Sequence, residues 1–122
     1  DNKMRRVIKL FEGETADKVS GAINILGAKK VVLFCKRANH SAGSTTFTAV
    51  VGVQGNEATY NKWISNVSNT NAQTETRVSS LVLNTNSCNF LTMDPKDTFE
   101  TIKVTADVTT DGANSAWLIL DY

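Results

Sequence analysis

Two cysteines, one proline and one histidine are few for a chain of 122 residues, and each scarcity excludes something. Cys35 and Cys88 cannot by themselves make a four-ligand zinc site, and they do not stand in C-x-x-C spacing. They leave two states open: one disulfide closing a long loop, or two thiols packed as small apolar groups. His40 lies in the polar stretch Asn39-His40-Ser41-Ala42-Gly43-Ser44, so any Ser–His–Asp relay has to run through that loop. No G-x-S-x-G elbow accompanies it, and the residue reads as an exposed loop histidine. A membrane-spanning helix needs about twenty apolar residues in a row, and no such run is present. Charge of one sign is also missing. Thirteen basic residues face twelve acidic ones for a net charge of +1, which supplies no general drive toward nucleic acid or membrane. No signal peptide is visible at the Asp1 end, so the compartment is left open.

What is present is alternation. Hydrophobic residues make up 41% of the chain, enough for one packed domain over 1–122. From Thr101 to Thr109, Ile102, Val104, Ala106 and Val108 take every second position, with Thr, Lys and Asp between them. Successive strand side chains point to opposite faces, so this is a half-buried strand. Thr110 to Asn114 supplies turn residues, and Ser115 to Tyr122 runs on as another strand. The pair is expected to form a β-hairpin. Lys3 to Glu12 reads as a strand with Ile8 and Leu10 on one face and Val7 and Phe11 on the other. Lys18 to Leu26 reads as a strand facing inward through Val19, Ile23 and Ile25, with a helix as the competing form. Val31 to Arg37 is apolar on both faces, which marks a central strand covered on both sides or lying at a subunit contact. Thr46 to Val53, Arg77 to Leu83 and Cys88 to Met93 complete the strands, and Ser65 to Thr76 reads as a long polar surface loop. The whole predicts an all-β fold: an antiparallel β-sandwich of about eight or nine short strands, with jelly-roll connections as one way of wiring it.

Chemistry is thinly signalled. Glu12, Glu14 and Asp17 cluster, as do Asp94 and Asp97, but neither set has the spacing of a calcium loop; solvated turns are expected. No catalytic, metal or cofactor site is expected. Basic residues gather at Lys3, Arg5, Arg6 and Lys9 and again at Lys29, Lys30, Lys36 and Arg37, as contacts for an acidic protein surface or as charged strand edges. Asn39-His40-Ser41 and Asn66-Val67-Ser68 fit the N-glycosylation triplet, a pattern that an Asn- and Ser-rich chain produces often by chance. Tyr60 and Trp63 invite a sugar-stacking reading, whereas Trp117 lies among Leu118, Ile119 and Leu120 and reads as core or interface.

Two phrases carry a resemblance. Tyr60-Asn61-Lys62-Trp63-Ile64-Ser65-Asn66-Val67-Ser68-Asn69-Thr70-Asn71 followed by Thr76-Arg77-Val78 is one. Asp97-Thr98-Phe99-Glu100-Thr101-Ile102-Lys103-Val104-Thr105 followed by Thr109-Thr110-Asp111-Gly112 is the other. In style they resemble small β-sandwich proteins of tailed-phage virions, over the second half of the chain. The resemblance implies a non-enzymatic capsid decoration protein or other virion accessory, oligomeric, with a capsid or other virion protein as partner and neither nucleic acid nor membrane. Arg5, Arg6, Trp117 and Tyr122 are the expected partner contacts. A carbohydrate-binding module for host attachment, using Tyr60 and Trp63, and an extracellular filament subunit built on the N-terminal strand are the alternatives.

Overall fold

The computed structural model describes residues 4–68 and 73–122, and the side chains of 66–68 and 73–75 lie outside that description. Twelve strands and no helix are found among the described residues. They are β1 (Arg5–Glu14), β2 (Lys18–Val19), β3 (Ile23–Asn24), β4 (Lys30–Ala38), β5 (Gly43–Val53), β6 (Asn56–Thr59), β7 (Trp63–Ser68), β8 (Gln73–Val78), β9 (Leu81–Leu83), β10 (Ser87–Thr92), β11 (Thr101–Thr110) and β12 (Ala113–Asp121). One six-stranded sheet runs β1-β12-β4-β10-β7-β8. The other runs β2-β11-β5-β6, with β3 also on β11 and β9 also on β5. The all-β sandwich is as expected; the strand count is higher because several strands are only two to four residues long.

The core follows from alternation on the four longest inner strands. Val31, Leu33 and Cys35 of β4 and Ala116, Leu118 and Leu120 of β12 face Phe47, Ala49 and Val51 of β5 and Ile102, Val104 and Ala106 of β11. All are buried, and burying each of the Val, Leu, Ile and Phe side chains among them is worth about 1.5–3 kcal/mol.

The expected hairpin is corrected. β11 and β12 do not pair: β11 joins β5 and β12 joins β4, so the turn between them carries the chain from one sheet to the other. Each strand has one buried apolar face, and the turn between them places these two faces on opposite sides of the same core. The β4–β5 connection crosses at the same end, since Ala38 pairs with Ala113 and Gly43 with Thr110. Arg37 locks that end. Its guanidinium is wholly buried and donates to Thr45 Oγ1 at 2.6 Å, the Ala42 carbonyl at 2.8 Å, His40 Nδ1 at 3.1 Å and Asp111 Oδ1 at 3.2 Å. Thr45 Oγ1 donates onward to Asn114 Oδ1 at 2.6 Å, and Asn114 Nδ2 donates to the Glu14 carbonyl at 2.9 Å. Gly112, at φ +112°, covers the guanidinium so closely that a Cβ there would meet Arg37 Nη1. Arg37 is therefore not part of a basic surface, as its grouping with Lys36 suggested; it is paired because a buried cation without partners is costly.

Three further corrections have local causes. A β-bulge between Lys9 and Phe11 shifts the register on β12, so Phe11 turns inward instead of sharing a face with Val7. Lys18 to Leu26 makes two short strands, with Val19 exposed and Ser20 buried, because the Ser20 hydroxyl accepts the Val104 N–H at 2.9 Å. Ser65 to Thr76 is not one loop: its described parts belong to β7 and β8, paired from Trp63–Val78 to Ser68–Gln73. Residues 69–72 lie outside the described residues. A disulfide is ruled out by the pleat. Cys35 is buried in the core, Cys88 is exposed, and Cys88 is the cross-strand partner of Lys36, on the opposite face of the sheet. Burial pushes the Cys35 thiol well above its ordinary pKa, so it is an inert packing group.

Candidate docking surface

The ladders of the first sheet fix which side chains stand on its outer face. One row crosses the strands as Val7 (β1), Ile119 (β12), Val32 (β4), Thr92 (β10) and Ile64 (β7). The next runs Lys9, Trp117, Phe34 and Phe90. Val7 is 64% and Phe90 50% exposed, while Val32, Phe34, Trp117 and Ile119 are half-buried by their neighbours. The Phe34 and Trp117 rings meet edge to face, centroids 6.1 Å apart. Charged residues flank these rows. Arg5, Asp121 and Lys30 stand side by side at one end, with Arg5 Nε donating to Asp121 Oδ1 at 2.7 Å and Nη2 to Oδ2 at 3.2 Å. At the other end stand Lys36 and Ser115, and Lys9 is bound to Glu12 at 3.1 Å. An aromatic and aliphatic centre inside a polar rim is the anatomy of a protein–protein contact.

Of the expected partner contacts, Trp117 stands in the middle of this face and Arg5 at its end. Tyr122, whose N–H donates to the Met4 carbonyl at 2.9 Å, lines a recess of about 430 Å³ with Met4, Arg5, Lys29 and Asp121 beside that end. Arg6 is exposed but pairs with Leu120 and so belongs to the other side of β1. Val7, Phe34 and Phe90 were not singled out in the sequence; the two-faced pattern of β4 was the signal for Phe34, and nothing local marked Val7.

The sugar platform is corrected. Trp63 is 0% and Tyr60 3% exposed, and their rings pack edge to face at 5.0 Å inside the sandwich, so neither offers a face to a pyranose. Tyr60 Oη donates to Asp97 Oδ2 at 2.8 Å and accepts the Asp94 N–H at 3.0 Å. Burial, then the bond to Asp97, pushes the phenol above its ordinary pKa. Asp94 in turn binds Arg77 at 3.0 Å, and the Lys96 N–H holds its carboxyl below the usual range. These carboxylates fasten a turn, and Asp17 does the same by accepting the Val108 N–H at 2.8 Å. Among the described residues no group of three or more His, Cys, Asp or Glu is placed to hold a metal ion.

His40, Ser41 and Asp111 do converge at the crossover end, but not as a relay. Arg37 Nε donates to His40 Nδ1, the nitrogen an orienting carboxylate would have to bind. Asp111 instead accepts the backbone N–H groups of Ser41 and Ala42, at 3.1 Å and 3.2 Å. Those bonds, Ser41 first, hold its carboxyl below the usual range.

The fold is that of a two-sheet antiparallel sandwich, and solved structures share it. One is SPBc2 prophage-derived protein YomS, with a TM-score of 0.66 at 16% identity over 100% of this chain and 96% of that one. The likeness at that identity is one of fold. No protein-family model and no curated protein sequence matches the chain.

Proposed function

We propose that this chain is a non-enzymatic structural subunit of a phage virion, a capsid decoration protein or another head or tail accessory, working through protein–protein contacts in the assembled particle. The observation that carries the reading is the outer face of the first sheet, where Val7, Phe34, Phe90, Trp117 and Ile119 stand toward solvent across four adjacent strands. Folding does not call for aromatic residues there, because the opposite face of the same strands already supplies the core. The fold shared with a prophage-derived protein supports the phage setting. The partner is a capsid or other virion protein, met without nucleic acid, membrane or cofactor. Mass spectrometry of particles purified from the encoding phage or prophage tests this: the chain is expected in fixed stoichiometry to the shell or tail subunits. Particles that assemble and mature without it would end the reading.

A further inference from the structure

We propose that the outer face of the first sheet is a self-association surface, on which two copies pack about a two-fold axis running along the strands between β12 and β4. The inference rests on the protein-contact reading above and names the first occupant of that face as a second copy. A two-fold interface must complement itself, so that residue i meets j and j meets i. This face does so along that axis. Rotation exchanges β12 with β4 and β1 with β10, and each outward residue of β12 and β4 lands over its own cross-strand neighbour in the other copy. Trp117 covers Phe34, Ile119 covers Val32, and Asp121 covers Lys30, in both directions at once. One step out, Lys9 comes over the ring of Phe90, a cation–π pairing. An axis across the strands instead sets Lys36 over Lys30, two like charges, and loses these matches. The four strands that overlap under this rotation, β1, β12, β4 and β10, about 4.8 Å apart and about 30 Å long, give a footprint of roughly 600 Å², at the small end of what each partner buries in a specific interface. Two twisted sheets packing face to face align within about 30°, which this axis permits.

Sedimentation velocity across a concentration series tests the proposal on the intact chain. The wild type is expected to be a dimer. Phe34→Lys is expected to weaken it at least about thirtyfold, the loss typical of a central anchor, with the thermal midpoint of the monomer unchanged. Lys30→Glu and Asp121→Lys are each expected to sediment as monomers, because each sets like charges across the axis. Mixing these two variants is expected to restore the dimer. The introduced carboxylate of the first variant then meets the introduced ammonium of the second, while the native Asp121 of the first meets the native Lys30 of the second. Circular dichroism checks that every variant is folded. A wild type that stays monomeric, a dimer indifferent to Phe34→Lys, or a mixture that does not associate overturns the proposal. None of these results bears on whether the chain is found in particles, so the virion reading stands or falls separately.

Discussion

The two sheets present different characters to solvent although their inner faces are alike: one has contiguous aromatic and aliphatic rows, the other mostly threonine with isolated valines. The second sheet's outer face carries Thr101, Lys103, Thr105, Asp107 and Thr109 on β11, set against Val50, Thr48, Thr46 and Ser44 on β5. The first sheet's outer face carries Val7, Ile119, Val32, Trp117, Phe34 and Phe90. Val19 and Val82, exposed beside Thr105 and Thr46, are the second face's scattered apolar residues, but that face has no aromatic row among the described residues; threonine keeps a branched, strand-favouring side chain while its hydroxyl stays wet. Solvent-facing aromatics add nothing to the core and invite association. The difference teaches that inward residues report the fold, and that excess apolarity on one outward side reports the work.

Neighbouring residues on one strand give the strongest test of this contrast. Leu118 is wholly buried and Ile119 faces out. Leu118→Ala is expected to cost about 2–5 kcal/mol in chemical denaturation. Ile119→Ala is expected to cost the monomer under about 1 kcal/mol, its main effect being on association. Equal losses would erase the distinction between the faces. Arg37 and Lys36 make the same comparison in charge. Arg37→Ala is expected to cost about 3 kcal/mol by removing the donor to Thr45 Oγ1 and to the Ala42 carbonyl in the interior, and Lys36→Ala about nothing. Gly112→Ala is expected to fall between them, at about 1–3 kcal/mol, because its φ of +112° is poorly open to a residue with a Cβ.

Acid sharpens the comparison further. Asp111 and Asp94 titrate below 3.8 in the folded protein, so their stabilisation is complete above that unfolded value and is lost as pH falls through the folded one. Asp111→Asn is expected to flatten this acid limb of a stability-against-pH curve and leave neutral-to-basic behaviour flat as before. Thr105→Val on the second outer face is expected to change stability by no more than about 0.5 kcal/mol and to leave the oligomeric state alone. An aggregating variant would show that threonine there is guarding an edge.

Alternation within one strand was enough to read the inner rows of β5 and β11, because a period of two assigns faces without knowledge of neighbours, whereas β4, apolar on both faces, left its inner row open. Local pattern failed where a distant group decided. A bulge against β12 turned Phe11 inward, a hydroxyl bound to Val104 drew Ser20 into the core, and Arg37 left the surface to hold a crossover. Tyr60 and Trp63 show the same limit, since adjacent aromatics look alike as a platform or as core.

The chain's own order of residues determined that it would be an all-β sandwich, since periodicity and turn chemistry act over a few residues. Which strands pair, which sheet each joins, and which apolar rows end up facing water were decided by the assembled fold. Those outcomes depend on contacts between segments as far apart as Arg5 and Asp121, and no short window of sequence contains both partners.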